Sequence, residues 1–345
     1  MSEQSLSIDG FGAAVRDQAV DIHGSPMSAA ADAPKQAFIR ATEIWIPTEN
    51  GRQLVLGSGL YGPLSDFETV SRETRFDYDE GLPGKAWAVG HPIVLKDLTG
   101  SYFKRDEAAK AAGLTCAVAL PIFNGLQPMA VIVLFCGDDR EHIGAIEVWH
   151  TPRDSIEMGL VDGYYGTAEA LEWSYRHIKF MRGIGLPGQT WDTGMPVIME
   201  DLGRSRRFLR WESTERVGIN RGVGIPCGRD GEGAWVLTLL SALGTPIARR
   251  FETWVPDSSR NALTFAGGYC EDISDVAAVY GYIALPPTAG TLGQVWQSGV
   301  PAISTDLSTE PEPIAVSAAD AGLTTMVAVP VIAAGTLKAI VAWYQ

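Results

Sequence analysis

The stretch GLPGKAW at residues 81–87 returns as GLPGQTW at 185–191 and as GTLGQVW at 290–296. The first glycines of these stretches are 104 and 105 residues apart in the chain. A Glu-x-Trp tripeptide, an Asp-Leu pair and a proline within an apolar run recur at nearly the same spacing. Self-similarity over so many positions indicates three copies of one structural unit, so fold and function are interpreted unit by unit.

The repeat divides the 345 residues into a leader and three domains. The predicted segments are a flexible N-terminal leader at 1–36, then domains at 37–140, 141–245 and 246–345, the last being the most divergent. A unit of about 100 residues is large enough to bury its own core. Because the joints at 137–144 and 242–250 are short, we expect the units to pack closely.

Composition restricts the class of protein. The net charge of −14 argues against binding to nucleic acid or to an anionic membrane. The four cysteines do not recur at a common repeat position, which argues against a disulfide framework and favours a cytoplasmic location. The first residues lack the charged and apolar regions of a signal peptide, and no Cys/His cluster predicts a metal site.

Each unit has the same predicted order of elements. A β-hairpin comes first, with the Asn50-Gly51 turn in unit 1, and a polar helical segment and the glycine motif follow. A short strand, an alanine-rich helix and two apolar strands complete the unit. The apolar strands of unit 1, Cys116–Ile122 and Met129–Phe135, lack alternation, so we expect them to be buried on both faces. The predicted fold class is α+β, with a central antiparallel sheet and helices on one face of each unit.

The motif blocks of unit 1 resemble the GAF domain family. These blocks are FETVS at 67–71, GLPGKAW at 81–87, GHPIVLKDL at 90–98, and the alanine-rich helix and apolar strand at 108–122. The resemblance extends over about 37–345, because the blocks occur in the same order three times. It implies a regulatory fold, often with a pocket between the sheet and the layer of helices and loops.

The resemblance leaves the ligand open. GAF domains bind cyclic nucleotides, bilins, haem, small metabolites or metal, or only mediate dimerisation, so the fold does not name a ligand. The units here have no room for the long terminal helices usual in the family, and no kinase, cyclase or DNA-binding segment is found. We therefore expect the output to be a protein partner or self-association.

Six tryptophans are the candidate pocket residues: Trp45, Trp87, Trp149, Trp191, Trp254 and Trp296. Core packing is the competing interpretation, because indole rings bury a large apolar area. The glycine motif opens a helix whose N-terminus is suited to an anion. The competing interpretation is a tight turn that places the following tryptophan between helix and sheet.

One basic segment stands out from the acidic background. Four arginines lie within seven residues of unit 2: Arg204, Arg206, Arg207 and Arg210. They are the candidate anion-binding or partner-docking patch. Salt bridges to acidic neighbours are the competing interpretation.

The cysteines are interpreted as inert core thiols. No cysteine is followed by histidine, which argues against an attached bilin, and Cys116 and Cys136 have apolar neighbours. No cofactor is therefore predicted, and the small-molecule ligand is unknown.

The leading hypothesis is a non-catalytic sensory or regulatory protein whose GAF-like domains bind a small ligand, a protein, or both. One alternative is a structural or assembly scaffold without a ligand. A second is a thiol redox enzyme resembling the GAF-type methionine-sulfoxide reductases. A pocket with convergent polar groups favours the first, filled interiors in all units favour the second, and two exposed cysteines within bonding range favour the third.

Overall fold

Three six-stranded antiparallel sheets build the protein, one for each sequence repeat. The computed structural model describes residues 38–137, 144–166, 172, 176–202, 218–242 and 247–345. The predicted leader, at 1–36, therefore lies outside the described residues. Residues Gln36–Gln345 form one compact unit, which agrees with the close packing expected from the short joints.

Unit 1 contains six strands and three helices. The strands are β1 Ile39–Pro47, β2 Gln53–Leu60, β3 Arg75–Asp77, β4 Ile93–Leu95, β5 Cys116–Asn124 and β6 Gln127–Cys136. The helices are Ser65–Glu73, Gly81–Val89 and Asp106–Ala111. All the predicted elements are present, and β3 is one that the sequence did not indicate.

The described parts of units 2 and 3 repeat this order. The unit 2 strands are β7 Gly144–Thr151, β8 Glu157–Tyr164, β9 Lys179–Met181, β10 Val197–Met199, β11 Ile219–Cys227 and β12 Ala234–Ala242, with a helix at Gly185–Thr193. The unit 3 strands are β13 Arg250–Pro256, β14 Leu263–Cys270, β15 Ala284–Leu285, β16 Ala302–Ser304, β17 Met326–Ala333 and β18 Thr336–Tyr344. Its helices are Val276–Tyr280, Gly290–Ser298 and Glu312–Asp320, with a 3-10 turn at Leu307–Thr309.

The three sheets share one strand order. Unit 1 is ordered β3-β2-β1-β6-β5-β4, and the equivalent strands of units 2 and 3 pair in the same sequence. The first strand of each unit also carries the same irregularity. Its register against the second strand shifts just before Trp45, Trp149 and Trp254. The predicted α+β class, with an antiparallel sheet in each of three tandem units, is confirmed.

Each sheet is buried on both faces. On β5, Val118 and Leu120 belong to a cluster shared by all three sheets, whereas Ala117 and Ala119 belong to the core of unit 1. On β17, Val327 and Val329 likewise contribute to the shared cluster. An antiparallel sheet usually leaves one face in water, and that face is here covered by the neighbouring units. Double-sided burial explains why the apolar strands lack alternation.

An ion pair and hydrogen bonds from backbone amides connect neighbouring units. Lys96 of unit 1 lies 2.8 Å from Asp162 of unit 2, and the Arg229 amide of unit 2 donates to the Gly90 carbonyl of unit 1 at 2.7 Å. The amide of Ala334 in unit 3 donates to Asp230 of unit 2 at 3.0 Å. Among the described residues, no helix combines the length and apolar character needed to cross a membrane.

Candidate functional site

A buried carboxylate bonded to a buried tryptophan recurs in every unit. The indole Nε1 donates to Glu43 from Trp45 at 2.8 Å, and the equivalent pairs are Glu147 with Trp149 and Glu252 with Trp254, each at 2.9 Å. All six side chains are fully buried. The members of each pair lie two residues apart on a strand, so they share the sheet face that the helices cover. An ionised carboxylate at such a depth requires partners.

In unit 1 that partner is Arg105, which lies just before the helix Asp106–Ala111. Its Nη1 and Nη2 donate to the two Glu43 oxygens at 2.6 and 2.9 Å. Nη1 also donates to Ser71 Oγ, and the Tyr61 hydroxyl donates to Glu43 at 3.0 Å. Burial, followed by the Glu43 charge, raises the pKa of Tyr61 well above its usual value, so Tyr61 stays a neutral donor. Two parallel charge-assisted bonds make this a strong, geometrically defined ion pair.

Aromatic rings surround the Arg105 guanidinium. Its Cζ lies 4.8 to 5.7 Å from the ring centroids of Phe67, Trp45, Phe103, Phe135 and Phe76. At such distances the π faces attract a cation electrostatically. Glu43, Ser71 and these five rings are here called the cage.

A cleft of about 750 Å³ opens on the outer side of the cage. It lies between the helices Ser65–Glu73 and Asp106–Ala111, and Phe67 and Arg105 are among its lining residues. Phe67 and Ser71 are four residues apart, so both turn inward from their helix and join the cage. The remaining lining is mostly apolar, with a few charged groups: Asp66, Lys104, Asp106 and Glu107. A cleft of this size and composition is suited to a small molecule.

Unit 3 supplies its cation from another element. Glu252 lies 209 residues after Glu43. The residue 209 positions after Arg105 is Ile314, so the unit 3 equivalent of Arg105 is a buried isoleucine. The guanidinium comes instead from Arg250 on β13, whose Nη1 is 3.6 Å from Glu252. Tyr344 donates to Glu252 at 2.6 Å. Burial raises the pKa of Glu252, and the Tyr344 hydrogen bond and the Arg250 charge offset only part of that desolvation.

Unit 2 satisfies its carboxylate in part with neutral donors. The Thr238 hydroxyl donates to Glu147 at 2.9 Å, and the Tyr165 hydroxyl donates to it at 3.2 Å. The segment that corresponds to the surroundings of Arg105 lies within 203–217, outside the described residues. The predicted arginine patch falls in the same segment, so Arg204, Arg206, Arg207 and Arg210 lie outside the described residues.

The six candidate tryptophans form two sets. Trp45, Trp149 and Trp254 are fully buried, and each bonds to its glutamate. Trp87, Trp191 and Trp296 of the glycine motif are half-buried at the border of their unit cores. None of the six lines the unit 1 cleft. The residues that form its floor, Phe67 and Arg105, were not among the sequence candidates.

The glycine motif has a backbone explanation. Gly81 has a φ of +59°, which glycine adopts without strain, and a Cβ on Gly84 would lie 2.2 Å from the Asp77 carbonyl oxygen. The equivalent close approaches at Gly188 and Gly293 are 2.2 and 2.4 Å. In unit 3 the Glu310 carboxylate accepts from the Thr291 amide at 2.9 Å, so a side chain already occupies that helix N-terminus. These contacts favour the tight-turn interpretation of the motif.

The four cysteines are buried or partly buried within the sheets. Cys116, Cys136 and Cys270 are buried, and Cys227 is partly buried. Desolvation by burial raises the pKa of Cys227 to about 12, so the unreactive thiol form prevails there. Among the described residues, no group of three or more His, Cys, Asp or Glu side chains is arranged to hold a metal ion.

No family model matches the chain, and no curated protein matches it. It is similar to the GAF domain of nlh2 from A. aeolicus in an inactive state, with 23% identity, 30% of this chain and 60% of that chain covered, and a TM-score of 0.24. It is also similar to the free methionine-R-sulfoxide reductase from Neisseria meningitidis in complex with its substrate, with 20% identity, coverage of 28% and 52%, and a TM-score of 0.23.

A third similar structure is the GAF domain/HD domain protein from Geobacter sulfurreducens, with 18% identity, coverage of 29% and 63%, and a TM-score of 0.25. This chain therefore spans less than two thirds of the length of each of these three structures. Several of the similar structures are GAF domains, the family that the sequence motifs resemble.

Proposed function

We propose that this protein is a non-catalytic sensory or regulatory protein whose small-molecule site is the cleft of unit 1. The observation that carries the proposal is the cleft of about 750 Å³ beside a buried polar cluster. Ligand sites are typically concave and mostly apolar, with a few polar groups in fixed positions. Two helices bound this cleft, so closure on a ligand would move both against the sheet that the other units contact.

Unit 3 offers a contrast within the same chain. Its residues at the positions of Asp106 and Glu107 are Ala315 and Val316, and those at Arg105 and Val70 are Ile314 and Val279. The unit 3 equivalents of Asp106 and Glu107 are thus aliphatic, whereas the equivalent of Asp66 is Asp275 and stays charged. We assign units 2 and 3 to the support of the ligand-binding unit and to contacts with protein partners or further copies. The shared core of the three sheets is the observation that supports the scaffold alternative.

Blocking the cleft tests the proposal. Val70 lines the cleft and is 39% exposed, and Val279 is its equivalent in unit 3 with 38% exposure. Native mass spectrometry of protein purified from its own source, followed by a thermal-shift screen of metabolites, should reveal a ligand. We expect Val70→Trp to abolish that binding by filling the cleft and Val279→Trp to leave it unchanged. Equal effects of both substitutions, or binding that neither changes, would contradict a site in unit 1.

A further inference from the structure

The interior of unit 1 has the chemistry of a guanidinium-binding site. A carboxylate presents both oxygens to a planar fork, and five aromatic rings surround the cation. A planar, delocalised cation satisfies both requirements at once, whereas an ammonium cannot pair with the two oxygens in the same bidentate way. The cage therefore discriminates by shape as well as by charge.

The groups of the cage all belong to residues other than Arg105. Glu43 is held by Trp45 and Tyr61 at 2.8 and 3.0 Å, and neither bond involves the arginine. Its remaining groups are presented by the strands, by the helix Ser65–Glu73 and by Phe103. Because these elements have their own packing in the unit 1 core, we expect the recognition groups to stay in place when the guanidinium is absent.

Unit 3 shows that the buried glutamate and tryptophan do not require an arginine at this position. The equivalent of Arg105 is the apolar Ile314, and Arg250 reaches the glutamate from a strand. What the described units share is the carboxylate and the indole, whereas the source of the cation changes. Arg105 is thus one possible occupant of the unit 1 cage.

The cage of unit 1 is reached from the cleft. Arg105 is only 3% exposed, yet it contributes to the cleft lining, so its side chain separates the cleft from Glu43. The rim carries one cationic residue, Lys104, against three carboxylates: Asp66, Asp106 and Glu107. An excess of negative charge at the mouth attracts cations. Arg105 Nε has no hydrogen-bond partner among the described residues, so the resident side chain leaves one donor unsatisfied.

We propose that the cleft and the cage together bind a ligand that carries a guanidinium group, and that Arg105 is a resident occupant which the ligand displaces. The inference deepens the proposed function, because it names the ligand class of the same cleft. A tethered occupant competes intramolecularly with any free ligand. The wild-type protein should therefore bind guanidinium compounds more weakly than a variant that lacks the Arg105 side chain.

Filling the vacated cage with a free guanidinium tests the inference. The variant is Arg105→Ala, and the probe is n-propylguanidinium at concentrations below about 20 mM, chosen because it carries a guanidinium on a three-carbon chain, as the arginine side chain does. Titration calorimetry and thermal shift should show saturable binding to Arg105→Ala that is about tenfold or more tighter than to wild type, following the loss of the tethered competitor. Equal affinity of the two proteins would overturn the proposal.

Three matched measurements define the site. The double variant E43Q with Arg105→Ala should lose the gain in affinity, because the bidentate carboxylate is gone. n-Butylammonium, a cation of similar length, should bind Arg105→Ala several-fold more weakly than n-propylguanidinium. Adding Val70→Trp to Arg105→Ala should slow or abolish binding. Retained affinity in the E43Q double variant, or no preference between the two cations, would contradict the proposed cage.

The experiment remains decisive if Arg105→Ala does not fold alone. Refolding is then followed by near-ultraviolet circular dichroism with increasing n-propylguanidinium, and recovery of the native signal supports the proposal. No recovery, at probe concentrations where wild type refolds, overturns it. A metabolite that binds the wild-type cleft without a guanidinium group would overturn the ligand class while preserving the proposed function. If n-propylguanidinium restores Arg105→Ala but no ligand of the wild-type cleft is found, the guanidinium site would be supported and the proposed function overturned.

Discussion

Units 1 and 3 share a strand order and a buried Glu-Trp pair but bring the cation from different parts of the chain. In unit 1, Arg105 lies just before the helix Asp106–Ala111, and its Nη1 and Nη2 donate to the two Glu43 oxygens at 2.6 and 2.9 Å. In unit 3, Arg250 reaches Glu252 from the same strand, at 3.6 Å. Both units therefore place an arginine beside the buried glutamate, but the arginine comes from a different position in each unit.

The difference has a consequence for how each unit is exposed to solvent. A cation from the helix side places a polar side chain between the cleft and the cage in unit 1. In unit 3 the position of Arg105 is taken by Ile314, which is fully buried. Arg250 reaches the helices from the sheet, donating to the Tyr280 hydroxyl at 3.0 Å and to the Ser317 carbonyl at 2.9 Å. The equivalent position is therefore polar in unit 1 and aliphatic in unit 3.

The largest expected effect comes from removing the unit 1 cation. Arg105→Met should lower the free energy of unfolding by about 3–5 kcal/mol, because it leaves Glu43 charged and buried without its partner. Urea denaturation followed by tryptophan fluorescence measures the change. The matched control is Ile314→Met at the equivalent position of unit 3, where an aliphatic exchange should cost less than about 1.5 kcal/mol.

A double variant separates the charge from the packing. E43Q combined with Arg105→Met removes both charges, so it should recover a large part of the lost stability. Equal losses in the single and double variants would mean that Arg105 stabilises the unit through its contacts with the rings alone. Equal losses for Arg105→Met and Ile314→Met would remove the contrast between units 1 and 3.

A second comparison concerns the two tryptophans of unit 1. Trp45→Ala should destabilise by about 3–5 kcal/mol, the range for emptying a large buried aromatic site. Trp87 is half-buried and packs its ring against the exposed Tyr78, with centroids 5.2 Å apart. Trp87→Ala should therefore cost about 1–2 kcal/mol, in the usual range for a partly exposed side chain. Denaturation midpoints of the two variants test the order, and a larger loss for Trp87→Ala would place the unit core nearer the glycine motif.

Much of the fold could be predicted because its signals are local. The Asn50-Gly51 turn of unit 1 acts over a few residues, as do the glycine motif and the apolar strands that all three units repeat. The strand β3 could not be predicted, because Phe76 is its only apolar residue, whereas the equally short β4 is an apolar run. The strict recurrence of Glu-x-Trp was visible, but its role as a buried carboxylate requires knowledge of which face the helices cover.

The site residues were harder to find, and the two arginines differ in this respect. Arg105 stands among Lys104, Asp106 and Glu107, and local sequence gives no sign that it alone points inward. Arg250 did carry a usable signal. It precedes Glu252 and Trp254 at steps of two and lies at the start of β13, one residue before the predicted strand, so alternation places all three on one face. A charged pair in register with a buried tryptophan predicts an internal ion pair.

The smallest expected effect is the pH dependence contributed by Glu252. Burial raises its pKa in the folded protein above the usual glutamate value of about 4.5. The proton is therefore held more tightly in the folded state than in the unfolded state. The resulting stabilisation is complete below the unfolded pKa and is lost as pH rises through the folded pKa. Wild type should accordingly lose stability relative to E252Q between about pH 4.5 and neutrality.

Urea midpoints of both proteins across that pH range measure this difference, and E312Q, which removes an exposed carboxyl from the same unit, reports the effect of altering charge alone. Protonated Glu252 and glutamine have the same shape and charge, so the two proteins should converge at the acidic end. A difference that instead grows as pH falls would mean that Arg250 holds Glu252 ionised. Unit 3 would then resemble unit 1 in its electrostatics, and the contrast between them would reduce to the position of the arginine in the chain.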